Sequence, residues 1–121
     1  LYPVREPYIS NKENLYCLNE RIICMLTYQD IQIAFIMVSA INVGNMTVPY
    51  DKTFKTNTLF PKQKEVTHQT PIPIQKSQHI GTFHLGSTII LCFPKNSINW
   101  TELSNNHPIQ YGQKLAEIKK T

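Results

Sequence analysis

Apolar residues along the 121-residue chain gather into a few short runs between long polar stretches. Residues 22–26 (IICML) form an apolar run of strand length, and Gln29-Asp30 reads as a turn into a second run over 31–43. That second run alternates at Ile31, Ile33 and Phe35 and then becomes apolar on both faces, as in a strand entering a covered sheet. The pair predicts a β-hairpin ended by Gly44. A third run, residues 81–93 (GTFHLGSTIILCF), read as one strand puts Phe83, Leu85, Ser87, Ile89, Leu91 and Phe93 on one face. His84, Gly86, Thr88, Ile90 and Cys92 then take the other. Residues 108–118 predict a last strand with a turn at Gly112.

The intervening stretches read as loops. Residues 1–19 form an irregular approach, expected to pack through Leu15, Tyr16 and Leu18, and 47–64 is a polar loop with Pro49 and Pro61. Pro71 and Pro73 make 66–74 an edge segment, because proline cannot donate to a central ladder. Residues 75–78 form a turn, and 94–106 a loop anchored by Trp100. The fold class expected is mainly β: a compact β-sandwich or barrel-like domain of antiparallel strands and hairpins, with long loops and little helix.

Composition narrows the class further. At 121 residues the chain suits one domain, and 41% hydrophobic content with eight prolines fits a folded, loop-rich chain. No apolar run approaches the ~20 residues needed to span a bilayer as a helix. Nothing near Leu1 has the pattern of a signal peptide, and the chain reads as one that begins midway. Cys17, Cys24 and Cys92 lack CxxC spacing, which argues against a zinc or redox motif, allows at most one disulfide and suits a reducing compartment. A net charge of +4 is too modest and dispersed to indicate nucleic acid.

Within the third run, Gly86-Ser87 is the pair with chemical potential. A glycine inside a strand costs stability unless the backbone bends or another group comes close, so the plain reading is a bulge in a buried strand. The sharper reading is intramolecular attack, since an unobstructed glycine carbonyl beside a serine hydroxyl suits self-cleavage at Gly86-Ser87. Asn19-Glu20-Arg21 reads as charged residues solvated at the mouth of a strand, or as an ion pair or contact near a site. Lys52, Lys55, Lys62 and Lys64, interleaved with Tyr50, Phe54, Leu59 and Phe60, form either a solvated loop or a contact for anionic lipid headgroups. The aromatics could equally pin that loop to its own core. His79 and His84 fall on opposite faces of an extended strand and do not form a metal pair, so no bound metal is expected. His68, His79, His84 and His107 each read as surface or structural histidines.

Taken together, Gly81, Phe83, Leu85-Gly86-Ser87-Thr88, Ile89-Ile90 and Phe93 resemble the cleavage segment of bacterial-type phosphatidylserine decarboxylases, where LGST is a specific signature. The similarity extends to LNERIICML (18–26), to VSAINVGNM (38–46) and to IQYGQKLA (109–116), which is similar to the family's closing strand. Ser39 stands where the family usually has glycine, and His79 where an acidic residue is common. The likeness covers nearly all of this chain and the second half of the family's proenzyme.

The resemblance implies that Ser87 Oγ attacks the Gly86 carbonyl and that peptide becomes ester. β-Elimination and hydrolysis then leave a covalent pyruvoyl group at position 87 as the cofactor. That group would form a Schiff base with the amine of phosphatidylserine and, after loss of CO2, release phosphatidylethanolamine for phospholipid biosynthesis. Residues 1–86 would end the β chain and 87–121 form the α chain. The partners implied are phosphatidylserine, a membrane surface bound peripherally on its cytoplasmic face, and the upstream half of the proenzyme, which carries the family's catalytic histidine and aspartate; a homo-oligomer is allowed. Two alternatives stay open: a non-catalytic β-domain with a binding role, and an inactive truncated product.

Overall fold

The computed structural model describes residues 1–40, 45–54, 56–57, 63–84 and 88–119. The chain opens with two single-turn helices, α1 (Tyr8–Asn11) and α2 (Leu15–Leu18). Four residues are too few for a helix to persist on propensity alone. Burial of Leu15, 3% exposed, anchors the second turn, whereas Leu18 at 55% faces solvent and does not pack as its apolar character suggested.

The predicted hairpin is present as β1 (Arg21–Tyr28) and β2 (Ile31–Val38), antiparallel from Arg21↔Val38 to Tyr28↔Ile31. Its two-residue loop places Gln29 at φ 52°, a left-handed conformation of the sort that matches the twist of tight hairpins. The second arm leaves the ladder at Val38, and the expected ending at Gly44 lies outside the described residues. The third partner of this sheet is β5 (Thr88–Cys92), antiparallel to β2 from Ala34↔Cys92 to Val38↔Thr88. Two smaller antiparallel pairs complete the fold. They are β3 (Met46–Thr47) with β4 (Thr82–Phe83), and β6 (Ile98–Trp100) with β7 (Ala116–Ile118). The architecture is mainly antiparallel β with only two short helices, and its three small sheets form no closed barrel among the described residues.

The period of two along each strand sorts the three-stranded sheet into two faces. Ile22, Met37 and Ile89 share one face with Cys24, Phe35 and Leu91. That face meets the core, where Ile22 and Met37 pack with Met46 and Val48 under a rim of Phe35, Tyr50, Phe54 and Phe83. Ile23, Ile36 and Ile90, then Met25, Ala34 and Cys92, line the other face.

Three expectations change. Residues 81–93 are not one strand, because β4 and β5 belong to different sheets; the predicted alternation holds within β5. Residues 66–74 form no strand: the two prolines remove donors and no neighbouring strand supplies the rest of a ladder. The stretch 94–106 is not all loop, since 98–100 pairs with 116–118, and Trp100 is 62% exposed, touching Phe93 edge-on at 5.8 Å between ring centroids. The turns at 75–78 and around Gly112 are as expected, closed by Gln78 N–H to Gln75 O at 3.0 Å and Gln113 N–H to Gln110 O at 3.0 Å.

Candidate functional site

Leu85, Gly86 and Ser87, the centre of the sequence-predicted site, lie outside the described residues. The residues that lead into and out of that stretch are described. On the entering side Phe83 pairs with Met46, and the His84 N–H donates to Asn45 O at 3.1 Å. His84 Nε2 lies 3.1 Å from Thr47 Oγ1, so its ring is hydrogen-bonded back onto β3. On the leaving side Thr88 pairs with Val38. Gly86 and Ser87 are therefore bracketed by strands of two sheets, and breaking the bond between them would separate no paired residues of β4 or β5.

Gly81 has a clear packing reason. A Cβ there would come within 2.5 Å of Met37 Sδ and 3.0 Å of Met37 Cε, and Met37 is 1% exposed. A side chain at this position would have to displace the buried methionine, so glycine suits the close approach of the chain just before β4.

The Asn19-Glu20-Arg21 triplet is neither simply solvated nor joined in an ion pair. Asn19 is 1% exposed; its Nδ2 donates to Tyr2 O at 2.9 Å and Ser39 O at 3.0 Å, and its Oδ1 accepts the Tyr2 N–H at 2.8 Å. The Glu20 carboxylate accepts the Asn57 N–H at 2.9 Å, and Arg21 Nη1 donates to Cys17 O at 2.8 Å. Ser39, fully buried, donates both its N–H (2.9 Å) and its hydroxyl (2.7 Å) to Glu20 O. The hydroxyl at the position where glycine was expected is thus satisfied inside the structure. Burial of Asn19 was not visible in the sequence, because its partners are 17 and 20 residues away.

In the lysine-bearing loop, Lys55, Lys62, Leu59 and Phe60 lie outside the described residues. Tyr50 and Phe54 pack against the core, so these two aromatics pin the loop. Burial pushes the Tyr50 phenol well above its ordinary pKa, helped by its hydrogen bond with Cys24 and by the nearby Asp51. Lys64 Nζ lies 5.1 Å from the Phe54 ring centroid and donates to Thr53 Oγ1. Hydrogen bonds from the Thr53 hydroxyl and N–H hold the Asp51 carboxyl below its usual range, with smaller help from Lys64 and His68.

His79 Nε2 sits 2.9 Å from Thr82 Oγ1 and His84 Nε2 3.1 Å from Thr47 Oγ1, and since Thr47 pairs with Thr82 these two rings bond to neighbouring residues of β3 and β4; His107 donates its backbone N–H to Ser104 O at 3.2 Å. Cys17, Cys24 and Cys92 are free thiols.

A family model described as phosphatidylserine decarboxylase matches residues 1–117. The chain belongs to the phosphatidylserine decarboxylase family. It is similar to the phosphatidylserine decarboxylase proenzyme of Helicobacter pylori, 31% identical over 121 residues, covering 98% of this chain and 43% of that protein. It is also similar to the mitochondrial phosphatidylserine decarboxylase proenzyme of Caenorhabditis elegans, 32% identical over 119 residues, covering 96% of this chain and 32% of that protein. The proenzyme of Myxococcus xanthus is 29% identical over 118 residues, with 97% and 41% covered. The chain therefore spans about two fifths or less of the length of these decarboxylase relatives. No solved structure matches it.

Proposed function

We propose that this chain is the part of a phosphatidylserine decarboxylase proenzyme that contains the self-cleavage site, with Gly86-Ser87 as the scissile pair. The observation that carries the reading is the family match over residues 1–117 together with LGST at 85–88. In this reading Ser87 Oγ adds to the Gly86 carbonyl, the peptide C–N bond breaks and an ester C–O bond forms. Loss of the Ser87 α-proton expels the ester carboxylate, so that the polypeptide ending at Gly86 leaves as one chain. Water then releases ammonia from the eneamine at position 87 and leaves a ketone at the head of 87–121. No external oxidant is needed.

A pyruvoyl group so formed supplies a ketone that can take up the amine of phosphatidylserine and act as an electron sink for loss of CO2, giving phosphatidylethanolamine. The residues around position 87 suit it in one respect: β4 and β5 are held independently, by Met46↔Phe83 and Val38↔Thr88, so residue 88 keeps its place whether or not 86 and 87 are joined. The upstream part of the proenzyme would supply the catalytic histidine and aspartate. In this reading the enzyme would act in phospholipid biosynthesis, bound peripherally on the cytoplasmic face of a membrane, and the loop carrying Lys52 and Lys64 would meet anionic headgroups.

The test is mass spectrometry of the complete proenzyme. Maturation should yield a piece that begins at position 87 with a blocked N-terminus. A chain that stays whole while CO2 is released from phosphatidylserine overturns the assignment.

A further inference from the structure

We infer that the outer face of the three-stranded sheet, built from Ile23, Met25, Ala34, Ile36, Ile90 and Cys92, is the seat of the remaining polypeptide of the proenzyme, which covers it with an apolar, uncharged layer. This rests on the proposed function and names a surface for the partner that reading requires.

The first observation is the face itself. Register places these six side chains side by side, and none carries a charge. Ile23 is 53% and Met25 62% exposed, and Cys92 is exposed as well. The field is bounded on the same face by Arg21, Val38 and Thr88, where Val38 is fully buried, and the two apolar rows beyond that covered end form an adjoining patch of the kind that a partner covers.

The second observation is the length of chain such a proenzyme has beyond this one. The match to 43% of the Helicobacter pylori proenzyme leaves more than half of such a polypeptide available to lie on the face. A bilayer is the less favoured occupant, because Arg21 is the only basic residue of the three strands.

The chain's own thiols report on this directly. Cys92 lies on the outer face, Cys17 on α2 is exposed elsewhere, and Cys24 is on the core-facing side. The complete proenzyme is treated with a small maleimide, and each cysteine is quantified by peptide mass relative to its rate in urea. Cys92 should be protected at least tenfold more than Cys17, independently of protein concentration and without vesicles. In the same protein Met25→Lys should lower Tm by more than 5 °C, whereas on an open surface it would leave Tm unchanged. Cys92 labelling as fast as Cys17 overturns the proposal; so does protection that appears only with rising protein concentration, which is the second-copy outcome, or only with vesicles, which is the bilayer outcome. Self-cleavage is scored by mass in the same samples. Cleavage with an open Cys92 removes this surface and leaves the functional reading, and a protected Cys92 without cleavage does the reverse.

Discussion

Replacing Asn19 by alanine removes a side chain that ties the start of the chain to the end of β2. Its three hydrogen bonds are not equivalent. Tyr2 is 40% exposed, so its freed N–H and C=O can turn to water, but the Ser39 carbonyl is buried and loses the Asn19 donor. Leaving one buried acceptor short costs about 1–3 kcal/mol, and each bond re-formed with water costs roughly 0.5–1.5 kcal/mol. Asn19→Ala should therefore destabilise by about 2–6 kcal/mol. Asn19→Asp is the sharper variant, because an ionised carboxylate cannot donate and would face both the Tyr2 and Ser39 carbonyls from a buried position. Burial and those carbonyls raise the pKa of the introduced carboxyl in the folded state above its unfolded value. Stability is then greatest below the unfolded pKa and falls as pH rises through the folded pKa. At pH 7 Asn19→Asp should be less stable than Asn19→Ala, and the gap should close toward pH 4. Urea denaturation of the three proteins at both pH values measures this. A loss below 0.5 kcal/mol for Asn19→Ala, or a pH-independent gap between the variants, would refute the buried-clamp account.

Gly81→Ala should cost about 1–3 kcal/mol by overpacking against Met37, and Met37→Val in the same chain should recover most of that loss, read as coupling in a double-mutant cycle. In the complete proenzyme Ser87→Ala should abolish cleavage and decarboxylation together, while Ser87→Cys should mature slowly to a small active fraction; full activity from uncleaved Ser87→Ala would contradict the pyruvoyl reading. Replacing Lys52, Lys55, Lys62 and Lys64 by glutamine should weaken binding to anionic vesicles at low salt and matter less at high salt, and an unchanged low-salt affinity would mark the loop as merely solvated. The depressed Asp51 pKa stabilises the fold above the unfolded carboxylate pKa, and this contribution fades as pH drops through the folded value. Thr53→Val should move Asp51 up toward its ordinary range in an NMR titration, and an unmoved Asp51 would contradict the hydroxyl's role.

The hairpin of β1 and β2 was legible because two apolar runs flank a polar dipeptide, a local signal. The LGST signature was legible for the same reason, yet the division of 81–93 between two sheets was not. Periodicity cannot register that Phe83 finds its partner in Met46 while Thr88 finds Val38. β6 escaped notice because Ile98-Asn99-Trp100 is too short to alternate, and it exists through pairing with 116–118. Asn19 read as part of a solvated strand mouth and Ser39 as a departure from the family's glycine, and their burial depends on contacts about twenty residues away in sequence. The purpose of Gly81 likewise appears only once Met37 is brought against it.

The pairing of β5 with β2 has a thermodynamic consequence for a chain cut after residue 86. The product ending at Gly86 would keep β1 to β4, and the other would carry β5, β6 and β7, with β6 and β7 paired to each other and, among the described residues, to no other strand. Five residue pairs, Ala34↔Cys92 to Val38↔Thr88, would be the ladder that still joins the two molecules. Unfolding, unimolecular before the cut, becomes a dissociation after it, so the midpoint of denaturation acquires a dependence on protein concentration. A dilution series before and after maturation would register the cut as a change in molecularity, with no reference to catalysis.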